Sequence, residues 1–476
     1  MSKQPKARRG EAVLARPHLV LLLATATVLV LEGFRGSRTI GTSATWPILQ
    51  ALVAAVALGV VWLRQARLRL RPLLALALVL QLGWIVLHLA LGVQSDFDSA
   101  VVYPREGNAL LHGHYPDTEY PPGAILLFAF EALVSGGSGD GVRVAHAFLM
   151  VPFQLAVVAA VWMLRTRGSA WFAALVAVWP LDAFFWEFKF DLAPTAALVL
   201  GLVLALRERW LPAGACLGAG AVLKWTPGLA AAALLLWLLC SRRRHEATRL
   251  LCGFLGVVVL VYGPFLAAWP SQVVHTYHVQ QMRGIIGESF PYLVLRLFGR
   301  AELYPDAPIW SGADVPGWGV RAATILQLSC VLTVFAAIVH VRGRPRAGIA
   351  VAALAPVAFL LTIRTFSAQY LVTILAAWAV AAALLVRRRR EQAALAVPML
   401  GATLANVLVY PTVTPTYWWL SSWALFLLAF AATLWILLRA ATAPERPDAR
   451  AVRSRADGDG RIRTRVASVQ ARRSAH

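Results

Sequence analysis

Residues 94–123, QSDFDSAVVYPREGNALLHGHYPDTEYPPG, hold five of the chain's 23 acidic residues: Asp96, Asp98, Glu106, Asp117 and Glu119. Long apolar runs flank the segment on both sides. A carboxylate at a bilayer edge costs free energy unless it is solvated or used in chemistry, so this island is a candidate reaction site. Asp96 and Asp98 could take a proton from a hydroxyl, or hold a divalent cation. Two residues apart, they share a side if the backbone is extended and diverge on a helix. Equally, Asp96 or Ser99 could cap a following helix as ordinary interface residues. Glu119 sits where the chain turns back into apolar sequence. It precedes Tyr120-Pro121-Pro122, a helix start whose prolines fall where a missing N–H matters little.

The basic residues that could answer these acids are few and selectively placed. Only four of the 45 basic residues are lysines: Lys3 and Lys6 near the N-terminus, Lys189 in WEFKFD and Lys224 in GAGAVLKWTP. A lysine amid apolar and aromatic sequence must snorkel, pair or bind an anion. At that depth the natural anion is a lipid-linked phosphate; the structural alternative for Lys189 is an ion pair with Glu187 or Asp191. Arg364, in RTFSAQY, falls in a turn that the charge pattern puts outside. A guanidinium there could clasp a phosphate through two parallel hydrogen bonds, or simply anchor the interface. Ser367 and Gln369 beside it could bind hydroxyls. His275 and His278 are spaced i, i+3 but have no carboxylate near them in sequence. They make a poor metal site and read as interfacial or substrate-contacting residues. No metal ligand set is assigned. A P-loop and a G-x-G-x-x-G turn are both missing from the sequence, so a nucleotide has no evident binding place.

These residues must be positioned by helices in a membrane. The 476 residues are 59% hydrophobic and 14% charged, with a mean hydropathy of +0.66. Soluble domains carry roughly a quarter charged residues. The composition therefore implies an all-α polytopic membrane protein. Apolar segments fall at roughly 17–34, 46–63, 73–93, 120–135, 142–164, 170–186, 191–206, 211–223, 226–240, 248–268, 320–341, 347–363, 367–386, 392–411 and 416–439. Both ends of the chain are basic and should share a side, which requires an even number of crossings. One segment should then be re-entrant or lie on the surface, with 120–135 and 211–223 the shortest, leaving a bundle of about 12–14 spans.

The net charge of +22 sits in arginine turns between apolar runs (64–71, 207–209, 242–244, 342–346, 387–390), as the positive-inside rule produces, and not in a nucleic-acid-binding face. No nucleic-acid partner is expected. Residues 1–16 and 441–476 read as basic cytoplasmic tails, the second disordered and able to lie on anionic lipid. Residues 17–440 form the membrane domain, with outer loops at 94–119 and 270–319 and further outer turns at 364–367 and 411–415. Arg165 and Arg167 obey the charge rule only if 120–135 does not cross. The first apolar run shows no A-x-A cleavage site followed by a soluble domain and reads as an uncleaved span. Four unpaired cysteines read as small core residues. No internal repeat is visible, which speaks against a transporter of duplicated halves.

The chain resembles the GT-C polytopic glycosyltransferases, and among them glycosyltransferase family 87, which includes polyprenyl-phosphate-mannose-dependent mannosyltransferases. The resemblance rests on Asp96/Asp98 ahead of Tyr103, Gly113-His114-Tyr115-Pro116 and Glu119-Tyr120-Pro121-Pro122. It continues in the small-residue stretch Gly214 to Pro227 with Lys224, and in Ser367-Ala368-Gln369-Tyr370, where Ala368 stands in place of the family's proline. It implies an inverting transfer of a sugar, mannose foremost, from a polyprenyl-phosphate donor to a glycolipid or glycan acceptor at the outer face of the plasma membrane.

Asp96 or Asp98 would be the general base, with Lys224 and Arg364 stabilising the departing lipid phosphate. Glu119, Tyr120, Tyr103, Gln369 and His278 would contact substrate among surrounding membrane lipids. Whether a divalent cation takes part stays open. Heavy use of Arg over Lys, with abundant Ala and Leu, points to a GC-rich source such as an actinobacterium. The competing readings are a transporter or flippase for polyprenyl-linked glycans, and an envelope assembly scaffold.

Overall fold

The computed structural model describes residues 17–35, 45–64, 68–93, 96–166, 168–179, 183–304, 312–410 and 418–442. They form α1 (Pro17–Arg35), α2 (Thr45–Leu63), α3 (Leu70–Ala90), a π-turn (Asp98–Val102) running into α4 (Tyr103–Leu111), α5 (Pro122–Ser135) and α6 (Gly139–Met163). Then come α7 (Ser169–Val178), α8 (Ala183–Phe188), α9 (Leu192–Leu206), α10 (Trp210–Leu223), α11 (Thr226–Cys240) and α12 (Arg244–Ala268). The chain continues through α13 (Pro270–Met282), α14 (Phe290–Leu297), α15 (Gly317–His340), α16 (Pro345–Thr362), α17 (Tyr370–Leu385), α18 (Arg389–Val409) and α19 (Trp418–Thr442). The one described sheet pairs two antiparallel strands of two residues each, β1 (Glu302–Leu303) and β2 (Ala313–Asp314).

Among the described residues nine helices are long and apolar enough to cross a bilayer, and six more of 10–17 residues are apolar. These fifteen correspond one for one to the apolar segments of the sequence. The protein is thus an all-α polytopic membrane protein, whose helices must satisfy their own backbone groups because lipid cannot. One segment differs in form. Residues 170–186 are not a single helix but α7 and α8, with 180–182 between them outside the described residues. Correspondingly the shortest apolar helix is α7, at 10 residues and about 15 Å, not 120–135 or 211–223.

Tertiary contacts sort the helix ends into two sets. Trp162 Nε1, near the end of α6, donates to the Leu68 carbonyl ahead of α3 (3.3 Å), and Arg207 after α9 donates to the Met163 carbonyl (3.3 Å). Arg165 and Arg207 therefore sit at the arginine end, beside the turn that leads into α3. Asp96, past the far end of α3, marks the opposite end.

The α5 helix makes no pass between them. Its start places Tyr120 against Tyr103 (ring centroids 6.1 Å), and just past its end the Gly137 carbonyl accepts from Asn108 Nδ2 (2.8 Å). Both its ends thus lie along α4, and a Cβ at Gly107 would run into the Phe128 carbonyl of α5. Setting α5 aside leaves fourteen apolar helices among the described residues, the even number expected if both basic ends share a side, and Arg165 lies at the arginine end. Arg167 and both tails lie outside the described residues, apart from the last turn of α19.

A buried polar network ties the N-terminal helices to the site. Gln50 of α2 donates to Glu32 of α1 (2.9 Å), and the His88 ring of α3 spans Glu32 (2.9 Å) and Glu187 of α8 (2.6 Å). Arg143 of α6 also reaches Glu187 (3.3 Å). Charges this deep are tolerated only when paired. The network holds α8 and so fixes the residue that follows it, Lys189. Elsewhere small residues let backbones touch: a Cβ at Gly214 of α10 would enter the Leu250 carbonyl of α12. The cysteines are not core residues as expected, for none is buried and Cys252 is exposed. The expected loop 270–319 holds α13, α14 and the β1–β2 hairpin, with Ser289 capping α14 at Tyr292 N (3.3 Å).

Candidate active site

At the Asp96 end the helix termini enclose a cavity of about 910 Å³. Asp96, Asp98, Glu119, Tyr120, Lys224, Arg364 and Gln369 all line it, though Asp96 and Gln369 are far apart in sequence. Tyr103 and His278 do not. Tyr103 is fully buried, stacked on Phe128 (4.1 Å) and packed against Tyr120, Phe190 and His146. It shapes the wall from behind. His278 is exposed on α13, its ring 6.3 Å from His275. His275 has a carboxylate neighbour that sequence spacing did not show, Asp117 at 3.4 Å.

The acidic wall is built by the turn that opens at Asp96. Its carbonyl accepts from Ala100 N (3.0 Å) and Ser99 Oγ (3.2 Å), and its carboxylate accepts from Asp98 N (3.4 Å). Asp96 is therefore a cap and a cavity residue at once. The backbone is neither extended nor regular helix, and the wider π-turn lets both carboxylates reach one ammonium. Lys189 Nζ lies 2.5 Å from Asp98 Oδ2 and pairs equally with Asp96 Oδ2.

The two acids are not equivalent. Asp96 is 8% exposed, and its second oxygen accepts from Tyr410 OH (2.8 Å). Asp98 is 25% exposed, and its Oδ1 makes no hydrogen bond among the described residues. Lys189 thus pairs with neither of the partners expected from sequence: Glu187 joins His88 and Arg143, and Asp191 joins Lys224.

Lys224 follows α10 in an extended conformation (φ −157°, ψ 110°) that swings it off the helix. Its Nζ lies 2.5 Å from Asp191 Oδ1 and over the Tyr370 ring, 4.3 Å from the centroid. Glu119 is held by Arg283 Nη1 (2.5 Å) and by Gln280 on its carbonyl (3.0 Å). Arg364 donates to the Gln281 carbonyl, and its own carbonyl accepts from Ile286 N (3.0 Å). Ser367 Oγ donates to Gln369 Oε1 (2.7 Å). Trp225, Phe359, Leu360 and Ile363 form an apolar flank, with Trp225 edge-on to Phe359 (4.4 Å).

The lining residues that went unread in the sequence include Arg283, Glu288 and Tyr410. Arg283, one of three arginines in the expected outer loop 270–319 with Arg296 and Arg300, broke the charge rule as Arg364 does. Glu288 is buried, and burial pushes its carboxyl up to about 8, against the lowering effects of the Ala368 N–H and Lys189. Glu106, on α4, is also buried. Burial raises its carboxyl to about 7, although Thr118 Oγ1 donates to it (2.7 Å) and Arg105 lies 3.4 Å away. That bond pins the chain leading to Glu119. Among the described residues no three His, Cys, Asp or Glu side chains are grouped to hold a metal ion.

Taken together, one wall carries a carboxylate oxygen able to accept a proton, and the cavity also holds three cations able to receive a developing anion. The model for glycosyltransferase family 87 matches residues 118–363, more than half of the chain. No curated protein and no solved structure matches it. The matched stretch begins after Asp98 and stops just before Arg364. The acidic turn, Arg364 and Gln369 therefore lie outside it, and the fold closes them onto matched residues such as Lys189.

Proposed function

The chain belongs to glycosyltransferase family 87 and is a membrane glycosyltransferase; from that premise we propose that it moves mannose from a polyprenyl-phosphate donor to a hydroxyl of a glycolipid or glycan at the outer face of the plasma membrane. The observation that carries this reading is a single cavity in which Asp98 keeps one oxygen uncommitted while Lys224, Arg283 and Arg364 supply positive charge.

In the proposed step Asp98 Oδ1 accepts the proton of the acceptor hydroxyl as its oxygen attacks the anomeric carbon from the side opposite the phosphate. The bond from that carbon to the phosphate oxygen breaks with its electron pair. Configuration inverts, and the charge left on the lipid phosphate meets the ammonium of Lys224 and the guanidinium of Arg364. Asp191 and the Tyr370 ring orient Lys224. The flank of Trp225, Phe359, Leu360 and Ile363 suits the first isoprene units, and Tyr120 and Gln369 suit the sugar. The arginine turns at the other end of the bundle favour the cavity facing outwards.

The test is release of polyprenyl phosphate from short-chain polyprenyl-phosphate mannose by protein in nanodiscs, with and without a glycolipid acceptor extract. Arabinose- and glucose-bearing donors serve as comparisons. Acceptor-dependent release that Asp98→Asn abolishes is the expected result. Binding without release from any of the three donors would refute the transferase reading and favour transport.

A further inference from the structure

Asp96 and Asp98 direct an oxygen each at one point, the arrangement by which carboxylates usually collect a divalent cation. That point is already filled. Lys189 Nζ sits between them, 2.5 Å from Asp98 Oδ2 and in contact with Asp96 Oδ2, with a side chain only 6% exposed. It cannot drift away, because it follows α8 directly and its N–H donates to the Phe185 carbonyl (3.0 Å). The Glu187 network locks α8 in turn.

We propose that Lys189 is the resident cation of this carboxylate pair, a positioning residue that makes transfer independent of divalent metal. The proposal rests on the reading of Asp98 as the base. Two like charges this close would repel, swing apart or hold a proton in common. A single ammonium between them leaves the trio with a net charge of −1, so the pair stays together and one carboxylate remains able to accept a proton. A divalent ion would bring the same pair to zero and tie up oxygen lone pairs in coordination. Mg²⁺ also wants near-octahedral oxygen ligation, and no third acid is grouped with the pair among the described residues. Elsewhere in the cavity, stabilising the phosphate falls to Lys224, Arg283 and Arg364, so the leaving group does not require a metal either.

The experiment compares wild type with Lys189→Met and Lys189→Arg in nanodiscs, in EDTA and then with Mn²⁺ or Mg²⁺ added. Wild type should transfer at the same rate, within about twofold, in every condition. Lys189→Met should lose the general-base contribution, roughly 100-fold, and regain about tenfold when millimolar Mn²⁺ enters the vacated position. Lys189→Arg should retain more activity than Lys189→Met and ignore metal. A lysine needed only for folding would show no metal rescue.

Loss of wild-type activity in EDTA, restored by Mn²⁺ or Mg²⁺, would overturn the proposal; so would full metal-free activity in Lys189→Met. Mn²⁺ binding followed by electron paramagnetic resonance reads the same point without turnover. Wild type should bind no Mn²⁺ that Asp98→Asn removes, and finding such a site would also overturn it, even if the transfer assay were silent or the methionine variant failed to fold.

Discussion

Replacing Asp98 by asparagine separates proton transfer from architecture. The amide keeps the shape of the side chain and can still offer an oxygen to Lys189, which stays paired with Asp96. The side chain is a quarter exposed, so the loss of one partially solvated ion pair should cost folding about 1 kcal/mol or less. What disappears is the basic oxygen. A general base contributes roughly 10²–10⁴ in rate, or about 3–5.5 kcal/mol of barrier.

Asp96→Asn is the matched control. It weakens a charge-assisted contact to Lys189 but leaves Tyr410 a partner at Oδ1, a loss of about 1.5–3 kcal/mol at most and none of it in proton transfer. Asp98→Asn should therefore be slower than Asp96→Asn by at least about tenfold, with donor affinity nearly unchanged in both. Single-turnover release of polyprenyl phosphate at saturating acceptor, beside donor binding to the same preparations, measures this. If Asp96→Asn proves the slower variant, or Asp98→Asn stays within tenfold of wild type, the assignment of roles from hydrogen-bond commitment is wrong.

Lys224→Met should strand the buried Asp191 carboxylate and cost about 3 kcal/mol; adding Asp191→Asn should recover the Tm but not the affinity for polyprenyl phosphate. Glu288 makes stability fall as pH rises. Its unfolded carboxyl ionises near 4.5 while the folded one holds its proton to about 8, a penalty growing between those values to at most about 5 kcal/mol. Glu288→Gln should flatten the Tm profile between pH 5 and 8, and an unchanged slope would rule that group out. Gly107→Ala should cost roughly 1–3 kcal/mol of stability and so lower the Tm, because the added methyl meets the Phe128 backbone and parts α4 from α5; a Tm equal to wild type would contradict so close an approach.

The helices were legible because hydropathy is a local property: each apolar stretch of suitable length must satisfy its own hydrogen bonds, so it becomes a helix wherever it lies. The rule on arginine turns even exposed its own exception. Arg165 demanded that 120–135 not cross, and the α4–α5 pairing through Asn108 and Gly137 supplies the reason. The acidic island, Lys224 and Arg364 stood out for a related cause, since charge in apolar sequence is costly and rarely accidental.

Partnership was not legible. Lys189 has Glu187 and Asp191 as sequence neighbours but meets Asp98, 91 residues away, while Tyr410 reaches Asp96 across 314. Tyr103 lies in the acidic island yet faces the aromatic core, and His278 shares a helix with cavity residues yet points to its exposed side. Composition and spacing thus determined that this chain is a membrane bundle with acids and cations gathered at one end. Which acid holds which cation, and which oxygen is left over to react, was decided only by packing. Those choices depend on how helix ends meet in space, and no local period of the sequence encodes that.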